Sequence, residues 1–209
     1  VKFRTLSCVA ALAIAGSAQS QELQEGVDYN LISPAQPTSS PATQVEVAEF
    51  FQYSCPACYA FEPHLNAWLA DGKPESVNFV RVHIVWNPLA RMHAQAYFTA
   101  EALGKSNEMH AAFFEEYHVK GNSLDTDDKL AEFFGRFGVS REAFENAFGS
   151  FGVHTSLQRA DQLARRYRIS GTPELIVNGK YSTDVTMAGS YTKFFENVNK
   201  LVATEQAEP

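Results

Sequence analysis

Two runs of strand character lie about one helix apart, and this spacing constrains the fold more than any other feature of the chain. Val45 to Tyr53 is apolar and aromatic, interrupted by Glu46 and Glu49, and Val77 to Trp86 is rich in valine and isoleucine. Between them Cys58, Phe61, Leu65 and Trp68 step by three and four, one face of a helix that Gly72 and Pro74 end. A strand, a helix and a strand in that order predict a parallel pair joined by a crossover helix.

The chain then changes character. Residues 92–168 carry almost no strand signal. Ala94 to Leu103 reads as a helix stopped by Gly104, and Met109, Phe113 and Tyr117 repeat at helical spacing. Leu130, Phe133, Phe134 and Phe137 follow a helix start at Asp125-Thr126-Asp127. Phe144, Phe148 and Phe151 follow Ser140, an N-cap residue type. These aromatic stripes read as core rather than as the lining of a groove. The α/β pattern resumes with a long helix through Leu157, Ala160, Ala164 and Tyr167, then a short strand over Thr172 to Val177. Asn178-Gly179 is a strong hairpin signal, with Lys180 to Thr183 returning and Phe194, Val198 and Leu201 marking a last helix. Residues 30–44, with three prolines, read as an extended lead-in. The expected organisation is an α/β fold in two parts, residues 21–87 and 156–209, interrupted by an all-helical domain at 88–155.

Residues 1–20 read as a cleaved secretory signal. Lys2 and Arg4 precede an apolar run, Leu6 to Ala15, too short to span a bilayer, and small residues offer cleavage after Ala18 or Ser20. Cys8 would leave with that segment, so the mature chain would hold Cys55 and Cys58 alone. Two cysteines in one tight motif are no disulfide scaffold, so stability has to come from a core. The whole chain has 17 Lys+Arg against 24 Asp+Glu, a net charge of −7, and no basic stripe for phosphates, which argues against nucleic acid.

In Cys55-Pro56-Ala57-Cys58 the spacing puts both sulfurs on one helical face, within bridging distance. Pro56 fits the first turn, where its missing N–H costs nothing. Free backbone N–H groups and the helix dipole favour an anion at Cys55, so its thiol is expected to be acidic and a good leaving group. Cys58, one turn inside, would resolve a mixed disulfide. A zinc site needs two further ligands, and His64, His83, His93, His110, His118 and His154 form no tight pair. No cofactor is expected. Glu49 has two readings: a strand-edge carboxylate in solvent, or a buried acid near the cysteines that relays a proton. Pro173 likewise is either a loop residue before a strand or a cis proline beside Cys55 that exposes backbone to an extended peptide.

The block Glu49-Phe50-Phe51…Cys55-Pro56-Ala57-Cys58-Tyr59-Ala60-Phe61-Glu62 resembles the active-site region of the DsbA-type thiol:disulfide oxidoreductases. So does Gly171-Thr172-Pro173-Glu174-Leu175-Ile176-Val177-Asn178-Gly179-Lys180-Tyr181, and the order of segments matches over roughly residues 26–203. The resemblance implies a thioredoxin fold with an inserted helical domain and a monomer in the periplasm. Its substrates would be reduced exported polypeptides, and a DsbB-type membrane quinone reductase would re-oxidise it. It implies Cys55 as nucleophile, Cys58 as resolving cysteine, Pro173 as cis proline and Glu49 as buried acid, with Pro56, Ala57 and Thr172 contacting substrate. Ala57 stands where the best-known members have histidine, which implies a less acidic Cys55 and a weaker oxidant. Thr172 before the proline occurs in disulfide isomerases too, so reductase or isomerase is the alternative activity. A non-enzymatic metal- or peptide-binding module is the distant third.

Overall fold

The computed structural model describes residues 22–207; the expected signal segment and Cys8 lie outside the described residues. In chain order the elements are β1 (Asn30–Leu31), β2 (Val45–Phe51), α1 (Pro56–Ala67) and β3 (Val77–His83). Five helices follow: α2 (Pro88–Ala102), α3 (Ser106–His118), α4 (Asp127–Gly135), α5 (Arg141–Phe148) and α6 (Phe151–Arg166). The chain closes with β4 (Glu174–Val177), β5 (Tyr181–Thr183), α7 (Val185–Ala188) and α8 (Tyr191–Ala207). No described helix is long and apolar enough to cross a membrane.

The sheet runs β1-β5-β4-β2-β3. β2 is an interior strand, with all seven residues buried, because it pairs on both edges and is covered on both faces. It runs parallel to β3, as the crossover predicts, and antiparallel to β4. Alternation splits it: Val45 and Val47 join the core under α1 and α8, while Ala48 and Phe50 join the core shared with the helical insertion. The hairpin at Asn178-Gly179 has both residues at positive φ, 50° and 66°. Gly179 is required twice over, since a Cβ there would overlap the Gln36 carbonyl.

The fold is α/β with a helical insertion, as expected, and four details differ. The expected strands Val45–Tyr53 and Val77–Trp86 stop at Phe51 and His83. Tyr53 leaves the ladder because its N–H donates to the His83 ring, at 3.1 Å. The stripe Phe144-Phe148-Phe151 is broken by Gly149 and by the Ser150 cap of α6. Phe151 opens that helix 88% exposed and belongs to no core. The lead-in contributes a strand, β1, paired with β5. The boundary placed between residues 155 and 156 falls inside the unbroken α6. The other stripes are core: Met109, Phe113, Leu130, Phe133, Phe134 and Phe144 are buried.

Candidate active site

β2 ends against the face where the cysteines sit. After it the chain makes a tight turn, the Cys55 N–H donating to the Gln52 carbonyl at 3.1 Å. Cys55 is the N-cap of α1 in extended conformation, φ −84° and ψ 116°, and Pro56 takes the first helical position. The Cys55 Sγ accepts from the Cys58 N–H at 3.3 Å, so a sulfur stands where a serine or aspartate oxygen usually caps. The Cys55 Sγ also reaches the Thr172 carbonyl, at 3.4 Å, and the Thr172–Pro173 peptide is cis. Of the two readings of Pro173, the cis proline beside Cys55 is the one realised. Pro56 and Ala57 are exposed at the rim, Cys55 is 8% exposed, and Cys58 is fully buried.

The two thiols are driven apart in acidity. A hydrogen bond from the Cys58 side chain brings Cys55 down to about 5; burial opposes this, and Thr172 and the Cys58 and Ala57 backbone N–H groups add to it. Cys58 moves far upward, because it donates to Cys55 and is itself buried. Cys55 therefore holds the negative charge and Cys58 the proton.

Glu49 is a buried acid, 0% exposed, not a solvent-facing one. It lies in register with Arg81 on the parallel neighbour β3, whose Nε donates to Glu49 Oε2 at 3.0 Å. Its other oxygen has no hydrogen-bond partner. Burial pushes the Glu49 carboxyl up to about 8; Arg81 pulls the other way and Glu62 adds repulsion. The row continues from Arg81 Nη2 to Glu62 Oε2 at 3.6 Å, and from Glu62 Oε1 to His110 Nε2 at 3.1 Å. Burial lowers His110, so the ring is neutral, and Glu62 stays ionised below its ordinary value because His110 and Arg81 outweigh its burial. A cleft of about 550 Å³, lined in part by Glu62, Arg81, Tyr97, Glu101 and His110, opens onto this row.

Sequence reasoning passed over Tyr53, Arg81, Glu62 and the histidines as site residues. Tyr53 N–H donates to His83 Nε2 at 3.1 Å, its carbonyl accepts from His118 Nε2 at 2.8 Å, and its hydroxyl meets His110 Nδ1 at 3.0 Å. His64, exposed on α1, is stacked on Tyr191 at 3.8 Å, away from these contacts.

A family model described as a DSBA-like thioredoxin domain matches residues 87–197. The thiol:disulfide interchange protein DsbA of Azotobacter vinelandii is 40% identical over 174 residues, covering 82% of this chain and 81% of its own. The chain belongs to the DsbA family. It is a thiol:disulfide oxidoreductase of thioredoxin fold that donates a disulfide to reduced cysteines of substrate proteins. Solved members agree in shape. Pseudomonas aeruginosa DsbA superposes with a TM-score of 0.81 at 34% identity, covering 87% of this chain and 94% of that one. The Xylella fastidiosa oxidoreductase DsbA gives 0.79 at 32%, covering 86% and 96%.

Proposed function

We propose that the chain is a periplasmic dithiol oxidase in which Cys55 is the sulfur that substrates attack. The observation that carries this is the cap: the Cys55 Sγ sits on the Cys58 N–H at the start of α1, where a thiolate is stabilised. A substrate thiolate attacks Cys55 Sγ, the Cys55–Cys58 bond breaks, and Cys58 leaves with the electron pair and takes a proton. A second substrate thiolate then attacks the substrate sulfur of the mixed disulfide. Cys55 departs as a stable thiolate, and the substrate keeps the new disulfide. Run in the other direction, Cys58 resolves the mixed disulfide.

The proton on Cys58 needs a buried source. Glu49, still carrying its proton near neutral pH, is assigned that part, and the cleft beside Glu62 and His110 gives the charge row access to water. The Thr172 backbone before cis Pro173 is assigned the pairing with an extended substrate, with Pro56 and Ala57 at the contact rim. The reduced pair then returns two electrons to a DsbB-type membrane quinone reductase, and the protein acts as a monomer. These assignments rest on family resemblance together with the position of each residue.

Alkylation of the reduced protein under limiting reagent, mapped by mass, is expected to label Cys55 first. Cys58→Ala is expected to accumulate mixed disulfides with substrate. Labelling of Cys58 first, or no trapped species, would overturn the roles. An equilibrium with glutathione that leaves the pair predominantly as disulfide would replace the oxidase by a reductase.

A further inference from the structure

The residue two places before Cys55 is held more completely than packing requires. Each of the three polar groups of Tyr53 meets a different histidine, and its ring is stacked on Phe113 with centroids 4.0 Å apart. The histidines come from two parts of the molecule. His83 ends β3, whereas His110 and His118 lie two turns apart on α3, the helix of the insertion that faces the motif.

Chemistry fixes the role of each ring. His83 Nδ1 meets the Ile84 carbonyl at 2.8 Å and so carries the hydrogen, leaving Nε2 free to accept from Tyr53 N–H. His110 points Nε2 at the Glu62 carboxylate and donates there, so Nδ1 accepts from the Tyr53 hydroxyl. His118 faces a carbonyl, so its Nε2 must donate. His118 also stacks flat on Tyr59, the residue after Cys58, at 4.8 Å and 8°. One side chain of the insertion thus touches the chain on both sides of the cysteine motif.

We infer that Tyr53 is a positioning residue for Cys55, and that His118 is the group through which the helical insertion holds its backbone. Tyr53 and Ser54 are the two central residues of the turn closed by Cys55 N–H and the Gln52 carbonyl. Their peptide plane decides where Cys55 leaves the turn, and the bond from His118 fixes that plane. In the disulfide form the bond to Cys58 itself keeps Cys55 at the cap position. In the reduced form that bond is gone, and the turn, with the weak hydrogen bonds at the sulfur, has to do so. Loosening the turn therefore costs the reduced, thiolate-bearing form more than the disulfide form, and only such a difference moves a redox equilibrium.

This rests on Cys55 being the acidic thiol, so the test starts with alkylation mapping of the parent protein. Cys58 reacting first removes that premise; Cys55 reacting first leaves the positioning role to be judged alone. His118→Phe keeps a ring against Tyr59 and removes the donor, and His118→Gln keeps a donor and removes the ring. His118→Phe is expected to move the glutathione equilibrium about threefold to tenfold toward the disulfide, the range of one lost neutral hydrogen bond. Its Cys55 is expected to titrate at higher pH, while His118→Gln stays near the parent. A merely structural role would lower the stability of both redox forms equally and leave the equilibrium in place. An unmoved equilibrium in His118→Phe, or the same shift in both variants, overturns the proposal. Should His118→Phe fail to fold, Tyr53→Phe, which loses only the hydroxyl bond to His110, is expected to shift the equilibrium in the same direction by a smaller factor, and no shift there overturns it too.

Discussion

Glu49 and Glu116 are both buried carboxylates bonded to an arginine, and their acidities go opposite ways. Glu49, on β2, has one bond from Arg81 and one oxygen without a partner, and burial raises it to about 8. Glu116, on α3 of the insertion, is 3% exposed. Burial opposes its charge as well, yet donors from Lys120, Arg136 and Asn122 outweigh it and bring the carboxyl down to about 2. Both are closed to solvent, but Glu49 lies deep in the sheet and Glu116 lies near the surface among half-exposed Lys120 and Arg136, so depth and the number of donors act together to separate them. A saturated acid ties α3 to the α3–α4 connection and to the end of α4. An acid left short of donors keeps a proton that chemistry can use.

The largest expected effect follows from that proton. Glu49 binds it more tightly folded than unfolded, so its stabilising contribution is full below its ordinary 4.5 and is lost as pH rises toward about 8. Within that window each pH unit costs about 1.4 kcal/mol. Glu49→Gln removes this dependence. Urea unfolding of both oxidised proteins at pH 5 and pH 8 is expected to show the variant gaining on the parent by on the order of 2–4 kcal/mol. The oxidised form keeps the Cys55 titration out of the measurement, and the buried histidines, common to both proteins, cancel in the difference. A gap that stays constant with pH would mean that Glu49 is ionised in the fold, and the contrast with Glu116 would vanish.

Glu116→Ala probes the other pole. It removes the shared acceptor of Arg136, Lys120 and Asn122, of which the two cations are half-exposed and regain water, and at pH 7 it is expected to cost about 1–2 kcal/mol. The pH trend has the opposite sign to that of Glu49. A lowered carboxyl stabilises above its ordinary 4.5, and the contribution is lost as pH falls toward about 2, so the gap between parent and variant narrows in acid. The glutathione equilibrium is expected to stay put. A shift in that equilibrium would show the insertion's ion cluster to be coupled to the cysteines after all.

The same contrast separates what the sequence disclosed from what it hid. The strands, the crossover, the Asn178-Gly179 hairpin and most helix caps are local, written in periodicity and in residues a few positions apart. The cysteine motif is local too, and its cap geometry follows from where the helix starts. Glu49–Arg81 was half legible: once Val45–Phe51 and Val77–His83 are paired as parallel neighbours, the two charges fall in register. The histidines around Tyr53 were not legible at all. They stand 30, 57 and 65 positions from it, on a strand and a helix whose juxtaposition depends on how the insertion folds back. In sequence they are scattered histidines with no spacing signal. The overrun of the first strand had the same origin, since Tyr53 leaves the ladder for a side chain that only tertiary structure brings near.

The smallest effect gives the sharpest test, because it turns one carboxylate partway into the other. Asn122 Nδ2 donates to Glu116 Oε2 at 3.0 Å, while Lys120 and Arg136 both bond Oε1. Asn122→Ala takes the amide from Oε2 and leaves Glu116 like Glu49, paired through one oxygen. It also removes the Asn122 Oδ1 acceptor for Leu124 N–H, at 3.3 Å, a long and weak bond. The expected cost at pH 7 is about 1 kcal/mol, the ordinary net worth of one such bond. The informative readout is the pH at which stability falls in acid. With two charged donors left, Glu116 remains below its ordinary value, but its carboxyl rises from about 2, so the acid loss sets in at higher pH than in the parent. Urea midpoints between pH 2 and pH 5 resolve this. If Asn122→Ala lowers stability by the same amount at every pH, the neutral donor contributes nothing to the acidity of Glu116. The net charge of the neighbours, rather than the count of donors, would then be what sets a buried proton apart from a buried latch in this fold.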